Sequence, residues 1–232
     1  MTLGHLIKRV SGLVALSCAM STGALAITGG QNCTDPNGVR RHVVKIIGPG
    51  GQYCSGTVIG TRKVLTAAHC FRSPSAAGWS VVTPDSGRGI AVSAIRIHPG
   101  FNPQALNGTA RINDIAVLKL AEAVPPNMVP AAVGGDTLRK GQVTVAGYGG
   151  QALQQVTLTP KDAPLNSNGD AILVPGGSYA GACHGDSGGP VFRKAAHGWV
   201  LVGVVSWTQG ACGSMTAVTP ISSYRGFVNA GN

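Results

Sequence analysis

The chain consists largely of short segments rich in β-branched residues, which glycine and proline clusters separate. It holds 35 glycines and 14 prolines among 232 residues, and the cluster Gly48 to Gly51 is typical. Such segments favour strands, and the 3.6-residue periodicity of a long amphipathic helix is absent from the sequence. The predicted strands are Val39 to Ile47, Thr57 to Leu65, Ile90 to Ile97, Ile115 to Leu120, Gln142 to Ala146 and Val200 to Ser206. The sequence therefore predicts an all-β fold.

A proline-rich segment, residues 125–130, divides the chain after residue 26 into two parts of similar length. Proline cannot donate to a strand ladder, so this segment does not suit a central strand and is predicted to be a linker. Residues 27–124 and 131–232 are each long enough for a small closed antiparallel barrel. Two short helices are also predicted, one after Thr66 and one over Ser222 to Val228.

The first 26 residues have the pattern of a secretory signal peptide. Lys8 and Arg9 precede an apolar stretch from Val10 to Ala26, which ends in the small-residue sequence Ala-Leu-Ala at positions 24–26. This stretch is short for a membrane span. We therefore predict cleavage after Ala26 and a protein that is secreted, either outside the cell or into a periplasm, without stable membrane association.

The chain is basic, but its basic residues show little clustering. The net charge is +10 and becomes +8 without Lys8 and Arg9, but the visible basic cluster is confined to residues 40–45 and has no interleaved aromatics. We predict no nucleic-acid partner.

Cysteine content agrees with secretion. Of six cysteines, Cys18 lies in the predicted signal, which leaves five. These can pair in an oxidising compartment, and because five is an odd number, one of them has no partner.

A serine between glycines provides the strongest chemical signal. Residues 185–190 read Gly-Asp-Ser-Gly-Gly-Pro, which also satisfies the G-x-S-x-G pattern of α/β-hydrolases. In those enzymes the acid and the histidine follow the serine, whereas no Asp or Glu follows Ser187 here. Strand–helix alternation is also missing, so the esterase alternative fails.

Three motifs carry a histidine, an aspartate and a serine in that order. Residues 66–70 read TAAHC, residues 113–120 read NDIAVLKL and residues 185–190 read GDSGGP. They resemble the signatures of the chymotrypsin/trypsin-like serine proteases. With similar segments at 98–102, 143–149 and 205–207, the resemblance covers residues 27 to about 228. It implies two antiparallel Greek-key β-barrels with a short C-terminal helix, and a monomeric secreted endopeptidase that meets protein or peptide substrates and protein inhibitors.

The resemblance also implies the residues of a catalytic triad and their roles. Ser187 would be the nucleophile, His69 the general base and Asp114 the group that orients His69. The backbone N–H groups of Gly185 and Ser187 would form the oxyanion hole. Ser206 would support Asp114, and the backbone of Ser206, Trp207 and Thr208 would bind the substrate. A catalytically inactive relative acting as a binding protein is the alternative; such proteins usually lack one of the three residues.

Two disulfides follow from the same resemblance, Cys54–Cys70 and Cys183–Cys212. Cys33 has no partner in this scheme, so we expect a buried free thiol, with pairing to another molecule as the alternative.

Activation is implied by the resemblance of residues 27–30, Ile-Thr-Gly-Gly, to the N-terminus of mature family members. The new α-amine of Ile27 would pair with Asp186. Signal cleavage after Ala26 would expose Ile27 directly, whereas cleavage after Ala19 would leave a short propeptide from Met20 to Ala26.

The specificity pocket is expected to be shallow. The resemblance places Gly181 at its base, where an aspartate would favour Arg or Lys, and Thr208 and Thr216 at its walls. Small or medium aliphatic residues are therefore predicted before the scissile bond. His184 lies near the entrance, as a substrate contact or a solvated residue, and His42 and His98 are interpreted as structural or surface groups. No cluster of carboxylates suggests a metal site, and no cofactor is predicted.

Overall fold

The computed structural model describes residues 27–107, 112–135, 138, 141–150, 152–159, 169, 171–173 and 179–230. The predicted signal peptide, residues 1–26, lies outside this part of the chain. Among the described residues, no helix combines the length and the apolarity that crossing a membrane requires.

The first seven strands in the described part of the chain are β1 Gln31–Asn32, β2 Val43–Ile47, β3 Tyr53–Gly60, β4 Lys63–Thr66, β5 Ser80–Val82, β6 Gly89–Ile97 and β7 Ala116–Leu120. Six of them form a closed barrel in the order β2-β3-β4-β7-β6-β5, and every neighbouring pair is antiparallel. Apolar side chains of these strands fill its interior, and the rings of Phe71 and Trp79 pack edge to face at 4.6 Å between centroids.

The other described strands are β8 Ala132–Val133, β9 Val143–Gly147, β10 Gln154–Leu158, β11 Ala171–Leu173, β12 Pro190–Ala195, β13 Gly198–Thr208 and β14 Thr216–Pro220. Together with β1 they form a second sheet, in the order β1-β10-β9-β12-β13-β14-β11. β8 pairs parallel to β13, and all other pairs in this sheet are antiparallel. β1 joins this sheet although its residues belong to the segment predicted for the first barrel.

Helices are short in the described part of the chain. One α-helix, α1, spans Arg225–Asn229, so a short C-terminal helix is confirmed. The four 3-10 helices are Val39–His42, Ala68–Cys70, Pro103–Asn107 and Ile221–Ser223.

Two predicted strands were wrong in their extent. Residues 39–42 form a 3-10 turn, which places Arg40 against the carbonyl oxygens of Cys33 and Pro84. The predicted strand Thr57 to Leu65 is a hairpin, in which Gly60 pairs with Lys63 across a two-residue turn. β-branched residues continue on both sides of that turn, so composition did not reveal it.

The two sheets share an apolar interface beneath the site. Val43, Leu65 and Ile115 from the barrel pack in one buried cluster with Phe192 and Val204 from the second sheet. The predicted linker runs along the barrel: Val129 N–H donates to the Arg41 carbonyl, and Ala131 N–H donates to the Val58 carbonyl. The ends of β4 and β7 are thereby held against the second sheet.

Candidate active site

His69 and Asp114 lie at adjacent ends of two paired barrel strands. His69 follows β4 in a 3-10 turn, and Asp114 precedes β7. His69 Nδ1 lies 2.7 Å from Asp114 Oδ2, and His69 N–H donates to Asp114 Oδ1 at 2.8 Å. Burial lowers the pKa of His69, but the charge and hydrogen bond of Asp114 outweigh it and leave the pKa above its usual value. The imidazole is thus oriented and made more basic.

Asp114 is fully buried and receives further hydrogen bonds from the second sheet. Ser206 Oγ donates to Asp114 Oδ2 at 2.5 Å, and Thr219 Oγ1 donates to the Asp114 carbonyl at 3.2 Å. A bulge in β13 between Val205 and Trp207 interrupts the regular register at Ser206. Burial raises the pKa of Asp114, but His69 and these donors lower it more, so Asp114 is held ionised.

The residue before Asp114 is anchored by the C-terminal helix region. Asn113 has a φ of +51°, a left-handed conformation in which a non-glycine residue is strained. Tyr224 Oη donates to Asn113 Oδ1 at 3.0 Å, and Asn113 Nδ2 donates to the Gly100 carbonyl at 2.7 Å. The His98 ring packs edge-on against Tyr224 at 5.3 Å. Tyr224 and Thr219 support the site but carry no sequence signal that would identify them.

Ser187 sits in a tight glycine turn of the second sheet. Gly185 has a φ of +86° and Gly188 a φ of +79°, both in the left-handed region that favours glycine. A Cβ at Gly188 would overlap Thr66 Oγ1 and the Ser55 carbonyl. Ser55 N–H also donates to the Ser187 carbonyl at 2.8 Å. The turn therefore packs directly on the barrel strand that leads to His69.

One cleft brings the predicted chemistry together. It has a volume of about 210 Å³ and is lined by His69, Cys183, His184, Ser187, Val205, Ser206, Trp207 and Thr208. Within that lining there is no carboxylate, because Asp114 is buried behind His69. Predicted substrate-binding residues 206–208 form one wall of the cleft.

The other predicted pocket residues lie outside this lining. Thr216 is buried, and its hydroxyl accepts a hydrogen bond from Ala182 N–H at 3.0 Å. A Cβ at Gly181 would lie 2.7 Å from the same hydroxyl. Gly181 and Thr216 are thus in mutual contact, while Thr208 and the exposed His184 face the cleft.

Asp186 and Ile27 are both buried in the second sheet. Asp186 is 0% exposed and Ile27 is 1% exposed. Cys183 N–H and Gly149 N–H donate to the Asp186 carboxylate at 2.9 and 2.8 Å. Burial raises the pKa of Asp186 to about 7, and the two hydrogen bonds offset only part of that effect. Thr28, next to Ile27, forms a bridge to Gly181.

Both expected disulfides, Cys54–Cys70 and Cys183–Cys212, are present. The first fixes the turn that carries His69, and the second joins two segments beside the cleft. Cys33 is a buried free thiol whose Sγ donates to Gln155 Oε1 at 3.5 Å. Burial raises the pKa of Cys33 to about 12, although the positive charge of Arg40 opposes this.

Among the described residues, the single group with metal-ligand proximity is Cys54, His69 and Cys70. The two cysteines of this group are joined in a disulfide, so neither offers a thiolate. The group does not suit a metal ion.

Comparison with known proteins gives one consistent family. The trypsin family model matches residues 27–228. "Trypsin, alkaline C" of Manduca sexta is 31% identical over 188 residues, which covers 68% of this chain and 70% of that protein. "Trypsin CFT-1" of Choristoneura fumiferana is 32% identical over 188 residues, with the same coverage of 68% and 70%.

A likeness among solved structures concerns the fold alone. The structure titled "Human heparin binding protein" superposes with a TM-score of 0.70 at 23% sequence identity. The superposition covers 87% of this chain and 94% of the chain in that structure.

Proposed function

The chain belongs to the trypsin family of serine endopeptidases, and we propose that it cleaves peptide bonds with Ser187 as nucleophile, His69 as general base and Asp114 as the orienting acid. The observation that carries this proposal is the buried His69–Asp114 pair, at 2.7 Å, in a cleft that Ser187 also lines.

The proposed reaction follows from the chemistry of these groups. Ser187 Oγ attacks the scissile carbonyl carbon while His69 Nε2 accepts the hydroxyl proton. The carbonyl oxygen becomes an oxyanion, which accepts hydrogen bonds from Gly185 N–H and Ser187 N–H. His69 then protonates the leaving amine and the C–N bond breaks, which leaves an acyl group on Ser187. Water, deprotonated by His69, attacks the ester carbonyl carbon. The bond from the acyl carbon to Ser187 Oγ then breaks, His69 returns the proton to Ser187 Oγ, and the carboxylic acid leaves.

Substrate binding is proposed to add a strand to the sheet. β13 pairs with β14 through Trp207 and Thr208, and its opposite edge at residues 206–208 lines the cleft. Backbone groups on that edge are therefore placed to bond an extended peptide, as in β-augmentation. Peptide and protein substrates fit this arrangement.

We infer a preference for small or medium aliphatic residues before the scissile bond. Val205, Trp207 and Thr208 line the cleft of about 210 Å³, and none of the described residues that line it is a carboxylate that could pair with Arg or Lys. Gly181 and Thr216 are proposed to limit its depth, because the buried Thr216 side chain occupies the space beside Gly181.

Activation is proposed to require the free α-amine of Ile27. Asp186 is a buried carboxylate with two backbone donors, and a carboxylate in such a site gains from a cationic partner. The pairing would order the turn at 183–187, which carries both oxyanion donors. Cleavage after Ala26 would create this amine, and we propose that the same event accompanies export from the cell or into a periplasm.

The test is the cleavage profile of protein beginning at Ile27 on a mixed peptide library, read by mass spectrometry. Ser187→Ala is the control. Cleavage after Ala, Val or Leu that Ser187→Ala abolishes supports the whole proposal. Ser187-dependent cleavage after Arg, Lys or large aromatics would overturn the specificity but retain the mechanism. Folded protein that cleaves nothing would favour a binding role instead.

A further inference from the structure

We propose that Ser55 is a positioning residue, whose hydroxyl holds the oxyanion-forming turn against the barrel. This inference rests on the proposed function, because it assigns Gly185 and Ser187 N–H to the oxyanion. Ser55 is on β3 next to Cys54 and is 0% exposed. Nothing in its sequence context distinguishes it from other small strand residues.

The hydroxyl of Ser55 acts as donor and acceptor between two loops. Ser55 Oγ donates to the Gly185 carbonyl at 3.0 Å and accepts from Tyr148 N–H at 2.8 Å. The next residue, Gly149, donates its N–H to Asp186. The Ser55 side chain therefore connects Gly185 to Tyr148, and the Asp186 side chain connects its own residue to Gly149.

The backbone of Ser55 strengthens the same connection. Its N–H donates to the Ser187 carbonyl at 2.8 Å, and its carbonyl accepts from Thr66 Oγ1 at 2.8 Å. A Cβ at Gly189 would lie 3.3 Å from Ser55 Cβ. Ser55 thus contacts both sides of Ser187, with little space in which the turn could shift.

Gly185 is the element that Ser55 restrains. Asp186 N–H donates to the Cys183 carbonyl at 3.2 Å, which closes a turn with Gly185 at its third position and a φ of +86°. This φ is that of a type II turn. Glycine adopts both signs of φ readily, so the turn itself does not fix the direction of Gly185 N–H. The Ser55 bond to the Gly185 carbonyl removes part of that freedom and preorganises the donor.

The predicted consequence is a loss in the chemical step. In Ser55→Ala the Gly185 carbonyl and Tyr148 N–H lose their buried partner, and we expect kcat per titrated active site to fall about 10- to 100-fold. KM should change less than about twofold, because residues 205–208 and the cleft wall are untouched. Binding of a peptide boronic acid, whose tetrahedral adduct places an oxygen at the oxyanion position, should weaken by the same factor as kcat.

Thr144→Val is the matched control. Thr144 is buried and its hydroxyl bonds Thr157 Oγ1 at 2.9 Å in the second sheet, remote from the proposed machinery. It should lower the urea midpoint and leave kcat unchanged. Ser55→Gly removes the same hydroxyl as Ser55→Ala. It gives a second measurement if Ser55→Ala does not accumulate as folded protein.

The outcomes separate this inference from the function on which it rests. Wild-type cleavage together with an unchanged kcat in the Ser55 variants overturns the positioning role alone. An equal fall of kcat in Thr144→Val also overturns it, because the effect would then be general destabilisation. Absence of Ser187-dependent cleavage in wild type overturns the proposed function, and this inference with it.

Discussion

Replacing Asp186 with Asn should remove a large pH dependence of stability in the chain that still carries residues before Ile27. The carboxylate is buried, and its pKa rises from 3.8 to about 7. A carboxyl group with a raised folded pKa binds more protons when folded than when unfolded. Stability therefore falls as the pH rises from about 4 to about 7. At about 1.4 kcal/mol per unit, the fall attributable to Asp186 has an upper limit of about 4 kcal/mol.

The assay compares two chain lengths, each in a Ser187→Ala background that prevents self-cleavage. One chain begins at Met20 and the other at Ile27. Urea unfolding between pH 4 and pH 10 gives the difference in unfolding free energy between the proteins with and without the Asp186→Asn substitution. The other groups, His69 included, titrate in both proteins, so their contribution drops out of this difference.

For the Met20 chain, the unfolding free energy of the protein with Asp186 minus that of its Asp186→Asn variant should fall by the full amount between pH 4 and pH 8. In the Ile27 chain the α-amine, whose ordinary pKa is about 7.7 to 8.0, is expected to pair with Asp186. The pairing lowers the pKa of Asp186 and raises that of the amine. Stability should then hold to about pH 8 and fall above it, as the amine loses its proton. Equal curves for the two chains would refute the ion pair, and a flat curve for the Met20 chain would refute the raised pKa.

Three further predictions address the site and the unpaired cysteine. Asp114→Asn should lower kcat about 10⁴-fold with little change in KM, because the imidazole loses its useful tautomer; steady-state hydrolysis of a peptide ester measures this, and a loss under about tenfold contradicts the assignment. In wild type, kcat/KM should fall at low pH with an inflection above 6.5, since Asp114 raises the pKa of His69; an inflection below 6.5 would count against the pairing. Cys33 should resist iodoacetamide at pH 8 until the protein is unfolded in urea, because its pKa is about 12; rapid labelling of native protein, seen by mass spectrometry, would show that the thiol is accessible.

The residues to which we assign the chemistry were visible in the sequence because each lies in a distinctive local motif. His69 follows a strand and precedes a cysteine, Asp114 opens a strand, and Ser187 lies between glycines. Their order along the chain then excluded the α/β-hydrolase alternative. The all-β class followed from β-branched segments and glycine clusters, and the comparisons and the fold confirm it.

The supporting groups could not be predicted in the same way. Ser55 and Thr219 are single hydroxyl residues within ordinary strands, and their role depends on which strand the fold places opposite them. Asn113 adopts a left-handed conformation, and the hydroxyl that bonds its side chain comes from Tyr224, 111 residues later. The strands β12 and β14 were not predicted; each has a proline at one end, and proline argues against a strand within a sheet.

The glycine turn shows how the barrel and the second sheet together form one site. Thr66 lies three residues before His69, and its hydroxyl reaches the Ser55 carbonyl at 2.8 Å, at the position where a Cβ on Gly188 would overlap both groups. Gly188 is also one residue after Ser187, and its N–H donates to the Val205 carbonyl at 2.8 Å beside Ser206. A side chain at position 188 would therefore separate the turn from the end of β4, and so move Ser187 away from His69. Close contact of Gly188 with the Thr66 hydroxyl and the Ser55 carbonyl thus holds the Ser187 turn against the barrel, which explains why glycine follows Ser187.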